Sequence, residues 1–167
     1  MKPIPIENRI ITQPFVVGGC IIKKDNKFLL VQEAVVDKGS WNHPAGWIDL
    51  YEKIIDGAKR EAEEETELKI KIIGLLGVYS LIKKSKRTGN IHHPIKFIFA
   101  AEPITENFNF NPEEIMDARW FTIDEIKKLK EQGILRDHDI INEVQDYIDK
   151  KIFSLEIVDK NFEQINY

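Results

Sequence analysis

The 167-residue sequence predicts a domain of the α+β class, with strands and helices mixed along the chain. Three observations predict this class. β-rich segments form a pair before an amphipathic helix, three more follow that helix, and helical segments come after the last strand. This order differs from the regular strand–helix alternation of parallel α/β folds. With 43% hydrophobic and 31% charged residues, the composition suits one globular domain over residues 1–167.

The amino-terminal third predicts a strand pair followed by a structured loop. Residues 15–23 and 27–33 are rich in β-branched and aromatic side chains, and Asp25-Asn26 between them is typical of a turn. Residues 37–49 hold two glycines, one proline and two tryptophans, with no helical periodicity. We therefore expect a β-hairpin that leads into an irregular but ordered loop.

A helix is predicted to begin near Ile54, because Ile55, Ala58 and Ala62 recur at helical spacing and form an apolar stripe. Residues 70–83 and 91–102 return to β-rich composition, and a basic, hairpin-like loop separates them. The central part of the chain is therefore predicted to run helix, strand, strand.

The carboxyl-terminal third predicts one more strand and two helices. Residues 117–121 have strand composition, and Thr122 with Glu125 forms the Thr-x-x-Glu capping box that begins a helix. A final helix is predicted over residues 139–152, and residues 153–167 receive no assignment.

Charge and cysteine content exclude several classes of protein. A net charge of −4 and a pI of about 5.6 argue against a partner such as a nucleic acid polymer, which needs a broad basic surface. Cys20 is the only cysteine, so no intrachain disulfide can form. The sequence also contains no signal peptide and no membrane-length apolar run. We expect a cytoplasmic protein that does not bind membranes.

Five of the seven residues from Glu61 to Glu67 are glutamates. A helix advances by about 100° per residue, so Glu61, Glu64 and Glu65 share one arc and Glu63 points away from it. Like charges one turn apart destabilise a helix slightly. This arc is either a solvated face or a site for a hard cation such as Mg²⁺ or Mn²⁺, which prefers carboxylate oxygens.

The spacing upstream of this run resembles a family signature. Gly46 is followed at fixed intervals by Glu52, Arg60-Glu61 and Glu64-Glu65. This pattern is similar to G-x5-E-x7-R-E-U-x-E-E-x-G-U, the signature of the Nudix hydrolase family, in which U is aliphatic. Glu67 departs from it, because the family has glycine there at the end of the helix. A left-handed backbone at Glu67 would cost about 1 kcal/mol.

The resemblance covers residues 14–150 and includes the Trp41-Asn42-His43-Pro44-Ala45-Gly46 loop and the last predicted strand. It implies an α/β/α sandwich with a mixed central sheet. It also implies metal-dependent hydrolysis of a diphosphate linkage in a small molecule, by a monomer or homodimer. The form of the loop and Leu135-Arg136 resemble small bacterial Nudix phosphatases that act on nucleoside di- and triphosphates and on the thiamine-pyrimidine pyrophosphate.

The resemblance also implies residue roles. Mg²⁺ or Mn²⁺ would be held by three carboxylates and one backbone carbonyl, those of Glu61, Glu64, Glu65 and Ala45. Gly46, Glu52 and Arg60 would orient this site. The general base is left open between a glutamate of the helix, Glu61 or Glu64, and Glu114 in a later loop. Glu114 could equally belong to an ordinary polar turn.

Three residues are candidate substrate contacts, each with a structural alternative. Trp41 would stack on a base or pack in the core. His43 would touch a phosphate or make a structural hydrogen bond. Arg87 lies in the basic loop, which would guide a polyphosphate electrostatically or remain a solvated loop.

Two other functions remain open at this point. A catalytically silent nucleotide-binding or regulatory module would keep the fold without the chemistry, although such modules typically lose metal-binding glutamates. An isoprenoid diphosphate isomerase would need a catalytic cysteine, and Cys20 lies on the wrong element for that role.

Overall fold

The structure is a computed structural model that describes residues 13–35, 37–84, 89–136 and 140–163. Within these ranges the chain forms strands and helices in the following order: β1 Phe15–Lys24, β2 Lys27–Glu33, β3 Trp41–Asn42, β4 Ala45–Trp47, α1 Ile54–Thr66, β5 Ile70–Ser80, β6 Lys83–Lys84, β7 Ile91–His92, β8 Pro94–Pro103, β9 Ile115–Phe121, α2 Ile123–Glu131 and α3 Ile140–Ile148.

The central sheet is mixed. Its strand order is β3-β2-β1-β8-β5, with β4 paired to β1 and β9 paired to β2. β1 and β8 run parallel over eight residue pairs, and the other pairings are antiparallel. β1 meets β2 at their hairpin, where Lys23 lies opposite Phe28, and farther back it pairs with β4 instead. This divergence places β4 beside the first half of β1.

Alternating side chains of the strands fill two apolar layers, one on each face of the sheet. Cys20 and Ile22 of β1 face a layer that includes Ala58 and Ala62 of α1, whereas Ile21 faces a layer that includes Val144 of α3. This alternation follows from the two-residue period of a strand. Helix α2 contributes to the same layer as α3. The predicted α/β/α sandwich with a mixed sheet is therefore confirmed.

Helix α1 lies close against β1 because small residues meet there. A Cβ atom on Gly18 would lie 2.8 Å from the Cβ of Ala58. At the start of the helix, the N–H of Ile55 donates to Asp159 Oδ2 at 3.0 Å, so a residue of the carboxyl-terminal segment caps this end. The close approach and the cap together hold the acidic helix in a defined position over the sheet.

Helix α1 ends with the left-handed backbone geometry of a glycine C-cap, although the residue there is Glu67. Glu67 has φ of 52°, and its N–H donates to the carbonyl of Glu63 at 2.8 Å. The left-handed backbone considered for Glu67 is therefore present, with its expected cost of about 1 kcal/mol.

Most predicted elements are confirmed, including the Thr122–Glu125 capping box of α2. The predicted final helix is too long, because α3 ends at Ile148 and not at residue 152. Phe153 exchanges two backbone hydrogen bonds with Leu75, at 3.0 and 2.8 Å, so the chain must leave the helix before it. The unassigned tail then forms a 3₁₀ turn at Leu155–Ile157 and buries Val158.

Residues 37–49 include the short strands β3 and β4, which the sequence did not predict. The strands predicted over 70–83 and 91–102 are both interrupted, so that β6 and β7 form a separate pair at the hairpin-like basic loop, whose residues 85–88 lie outside the described ranges. In the part of the chain that the structure describes, no helix is long and apolar enough to cross a membrane.

Candidate active site

Helix α1 presents the carboxylates of Glu61 and Glu65 to strand β4. The two residues are one turn apart, so their side chains share one face of the helix. Glu65 Oε2 accepts a hydrogen bond from the backbone N–H of Ala45 at 3.1 Å. A Cβ atom on Gly46 would lie 2.0 Å from Glu61 Cδ. Ala45 and Gly46 therefore lie directly against two of the predicted metal glutamates, and the absence of a side chain at Gly46 makes room for Glu61.

Arg60 holds the segment that leads into helix α1. Its Nε and Nη2 donate to the two carboxylate oxygens of Glu52 at 2.7 and 3.0 Å, and Nη2 also donates to the carbonyl of Trp47 at 3.1 Å. A pair with two parallel hydrogen bonds fixes orientation as well as distance. The hydrogen bonds from Arg60 lower the pKa of Glu52 from its ordinary value. Arg60 therefore pairs with Glu52, and the resemblance implies that both residues orient the site.

The same guanidinium group also reaches along the helix. Arg60 Nη1 donates to Glu61 Oε1 at 2.8 Å and to Glu64 Oε2 at 3.0 Å. The side chain of Glu64 is 59% exposed, far more than that of Glu61 at 19%. Arg60 thus connects two of the three predicted glutamates, while the third, Glu65, turns to Ala45.

The site holds more negative charge than its neighbours balance. Burial, together with the charges of Glu33 and Glu61, raises the pKa of Glu65 well above its ordinary value, against the opposing hydrogen bond from Ala45. Burial also raises the pKa of Glu61, and Arg60 only partly opposes this. A raised pKa means that the ionised carboxylate is unfavourable in its surroundings. A cation bound at this face would relieve that cost.

The carboxylates of Glu61, Glu64 and Glu65 are suitable ligands for a divalent cation, although their oxygens do not converge on one point. Among the described residues, no three His, Cys, Asp or Glu side chains converge closely enough to hold a metal ion. Arg60 Nη1 binds one oxygen of Glu61 and one of Glu64, whereas Glu65 accepts a hydrogen bond from the N–H of Ala45. The available ligands are nevertheless carboxylate oxygens, which Mg²⁺ and Mn²⁺ prefer, and the charge at Glu65 needs compensation.

Glu33 is a site residue that sequence reasoning missed. It ends strand β2, is 8% exposed, and its charge acts on Glu65. Its Oε1 accepts hydrogen bonds from Asn42 Nδ2, at 3.1 Å, and from Arg136 Nη1. The available signal was the position of Glu33 in an apolar strand, since a glutamate is rarely buried without a partner.

Glu114 lies in a turn that touches the same end of strand β2. Its carbonyl accepts a hydrogen bond from the N–H of Ala34 at 3.0 Å, and Ala34 directly follows Glu33. Its side chain is exposed. The contact that joins this turn to the site is thus made by the backbone, and the role of the Glu114 carboxylate as a base stays a prediction.

Burial favours the structural alternatives for Trp41 and His43 over substrate contact. Trp41 is 5% exposed and packs edge-to-face on Phe121, with ring centroids 4.8 Å apart. His43 has no exposed surface, and its Nε2 lies 3.3 Å from Glu143 Oε2. Both side chains thus make contacts within the protein, and their role as substrate contacts stays a prediction. Arg87 lies outside the described residues.

Comparison with known proteins gives a consistent result. The family model described as NUDIX domain matches residues 12–143. The phosphatase NudJ of Shigella boydii is 29% identical over 118 residues, which are 70% of this chain and 73% of that protein. A NUDIX hydrolase from Nitrosomonas europaea superimposes with a TM-score of 0.74 at 28% identity, covering 91% of this chain and 100% of that chain.

A more distant likeness supports the fold alone. A MutT NUDIX hydrolase from Burkholderia pseudomallei, 22% identical, has a TM-score of 0.64 and covers 80% of this chain and 98% of that chain. The match of the family model takes in the whole signature from Gly46 to Glu65, the residues whose contacts build the acidic face described above. The chain belongs to the Nudix hydrolase family.

Proposed function

We propose that this enzyme hydrolyses the diphosphate linkage of a nucleoside di- or triphosphate, or of a related compound with a linked diphosphate, using Mg²⁺ or Mn²⁺. The observation that carries the proposal is the pair Glu61 and Glu65, which face Ala45-Gly46 with raised pKa values. Such a face gains most from a ligand that brings positive charge, and a divalent cation in turn attracts phosphate oxygens.

Four groups of this chain would hold the metal: the carboxylates of Glu61, Glu64 and Glu65, and the backbone carbonyl of Ala45. A bound divalent cation supplies charge neutralisation at the phosphate and a lower pKa for its bound water. Arg60 keeps the glutamates and the preceding loop together through its contacts with Glu52 and the carbonyl of Trp47. Loss of such orienting contacts commonly costs about 10- to 100-fold in metal affinity or activity.

In the reaction, the oxygen of a water molecule forms a bond to phosphorus while the bridging P–O bond breaks. The leaving phosphate takes the electron pair of that bond. The water proton passes to a carboxylate, for which Glu61, Glu64 and Glu114 are the candidates. Glu64 and Glu114 are exposed enough to return this proton to solvent.

Two lines of support bear on the substrate class. The protein of Shigella boydii is named a phosphatase, and the small bacterial phosphatases that the loop resembles act on nucleoside di- and triphosphates and on the thiamine-pyrimidine pyrophosphate. We therefore propose a small phosphoanhydride as substrate, no nucleic acid polymer as partner, and a monomer or homodimer as the active form.

A substrate screen tests the proposal. Nucleoside di- and triphosphates, nucleotide sugars and thiamine-pathway pyrophosphates are incubated with the protein and Mg²⁺ or Mn²⁺, and released phosphate is measured separately from pyrophosphate. We expect turnover that requires the metal and falls by at least about 100-fold in Glu61→Gln. Glu63→Gln is the matched control, because Glu63 lies on the same helix and contacts Lys69 instead.

The silent binding module is the alternative outcome of this screen. In that module, Arg60 would neutralise Glu61 and Glu64 in place of a metal ion, which is consistent with its hydrogen bonds to both carboxylates. If no substrate turns over while nucleotides raise the melting temperature, the hydrolase proposal is wrong and the module is favoured.

A further inference from the structure

Arg136 has a backbone position that is fixed by the loop of the site. The N–H of Trp41 donates to the carbonyl of Ile134 at 2.7 Å, and the N–H of Arg136 donates to the carbonyl of Trp41 at 2.9 Å. Trp41 and Leu135 thus form a parallel bridge. The segment before helix α3 therefore lies beside β3. Strand β3 belongs to the same loop as Ala45 and Gly46.

Two carboxylates orient the Arg136 side chain. Nη1 donates to Glu33 Oε1, and Nε lies 3.3 Å from Asp37 Oδ2. Glu33 is itself held by Asn42 Nδ2 at 3.1 Å. A guanidinium group anchored at two of its nitrogens has little rotational freedom left, and 22% of the Arg136 side chain remains exposed to solvent. It is therefore preorganised and within reach of a ligand.

Arg136 is joined to the metal glutamates through the loop of the site. Its partner Glu33 also accepts a hydrogen bond from Asn42 Nδ2, and Asn42 lies three residues before Ala45, whose N–H donates to Glu65 Oε2. Besides the arginine on its own helix, the acidic face therefore has a second arginine in the segment before α3.

We propose that Arg136 binds a non-bridging oxygen of the substrate diphosphate, and that Glu33 positions its guanidinium for this contact. This inference rests on the proposed hydrolase function. A diphosphate carries several negative charges toward a face that is itself acidic, so hydrogen bonds from an oriented cationic donor beside that face would favour its binding. A planar guanidinium with fixed orientation matches phosphate oxygens better than a flexible ammonium group does.

The competing explanation is a brace, in which Arg136 only neutralises the buried Glu33. The two explanations differ in what Arg136→Lys should do. A brace needs a positive charge near Glu33, which lysine retains. A phosphate contact needs the planar fork, which lysine lacks.

The experiment measures ligand binding and catalysis separately. Titration calorimetry with α,β-methylene-ADP and Mg²⁺ gives the Kd for wild type, Arg136→Lys, Arg136→Gln and Glu33→Gln. The best substrate from the screen gives kcat and KM. Thermal melting with Mg²⁺ alone reports the metal site. Arg119→Gln is the matched control, because Arg119 is an exposed arginine that pairs with Asp117 on strand β9.

We expect Arg136→Gln to raise Kd and KM by about 10- to 100-fold, with kcat within about threefold and an unchanged shift in melting temperature on Mg²⁺ addition. Arg136→Lys should recover only part of the affinity, Glu33→Gln should raise KM less than Arg136→Gln does, and Arg119→Gln should behave as wild type.

A KM and Kd in Arg136→Lys equal to those of wild type would overturn the proposal in favour of a brace, and this variant decides the question if Arg136→Gln does not fold. Failure of wild type to bind the analogue would also overturn it. If wild type binds the analogue but turns over no substrate, the hydrolase function is rejected instead. The contact at Arg136 can then still be tested by comparing the Kd values of the variants.

Discussion

The two faces of helix α1 carry the same residue type in opposite surroundings. On the outer face, Glu63 accepts hydrogen bonds from Lys69 Nζ at 2.7 Å and from the N–H of Ile70 at 3.1 Å. Burial alone would raise the pKa of Glu63, but these contacts lower it below its ordinary 4.5. On the inner face, burial raises the pKa of Glu65, and the nearby charges of Glu33 and Glu61 raise it further.

This contrast separates a glutamate that stabilises the fold from one that we propose binds the metal. The charge of Glu63 is balanced within the protein, so the folded chain favours its ionised form. The charge of Glu65 is unbalanced, so the folded chain opposes its ionised form, and a bound cation would reverse this. Unfavourable charge kept at a functional site, with its cost offset elsewhere in the fold, is the pattern expected of an active site.

The largest effect is expected from filling the gap between β4 and the inner face. Gly46→Ala places a Cβ within 2.0 Å of Glu61 Cδ, so the glutamate or the strand must move. We expect a loss of only about 0.5–1.5 kcal/mol in unfolding free energy, because the end of the Glu61 side chain can move. We expect a loss of about 100-fold in kcat, since a shift of about 1 Å can cost that much. Chemical denaturation and steady-state kinetics measure both, and wild-type activity in this variant would refute the packing described for Glu61.

Two single substitutions, one on each face of helix α1, test the contrast itself. In metal-free buffer at pH 7, Glu65→Gln should raise the unfolding free energy by about 1–2 kcal/mol, because it removes an unbalanced charge. Glu63→Gln should lower it by about 0.5–1 kcal/mol, because it removes a balanced one. Urea denaturation with EDTA measures the difference, and changes of the same sign in the two variants would contradict the account.

The pH dependence of this pair follows from the directions of the pKa shifts. The folded-state pKa of Glu65 is raised above 4.5, so its contribution to stability is present at acidic pH and is lost as the pH rises through that pKa. The gain from Glu65→Gln should therefore grow with pH. The pKa of Glu63 is lowered, so the loss from Glu63→Gln should be complete above pH 4.5 and should vanish on further acidification.

The smallest effect is expected at the end of helix α1. Glu67→Gly should raise the unfolding free energy by about 0.5–1 kcal/mol, because glycine adopts the φ of 52° without strain. Glu67→Ala is the control, since it removes the charge but keeps a Cβ. An equal gain in both variants would assign the effect to charge near the other glutamates and not to the backbone.

The acidic helix could be predicted from the sequence because its information is local. Ile55, Ala58 and Ala62 at helical spacing defined its apolar stripe, and the advance of about 100° per residue placed Glu61, Glu64 and Glu65 on one face. The Thr122–Glu125 capping box defined the start of α2 in the same way. Each of these signals lies within about two turns of helix or one short motif, where geometry follows from spacing.

The rest of the site depends on contacts between distant parts of the chain. Glu33 and Arg136 meet across about a hundred residues, as do His43 and Glu143, and no periodicity connects them. The end of α3 was also wrong for this reason, since the pairing of Phe153 with Leu75 stops the helix. Such contacts are decided by the topology of the sheet, which single-sequence patterns do not specify.

Mg²⁺ binding tests the central claim most directly, without requiring knowledge of the substrate. Titration calorimetry and thermal melting with Mg²⁺ are compared for wild type, Glu61→Gln, Glu65→Gln and Glu63→Gln. The account predicts that Mg²⁺ binds and stabilises wild type and Glu63→Gln alike, and that both effects are lost in Glu61→Gln and Glu65→Gln. Equal Mg²⁺ binding in all four proteins would contradict it.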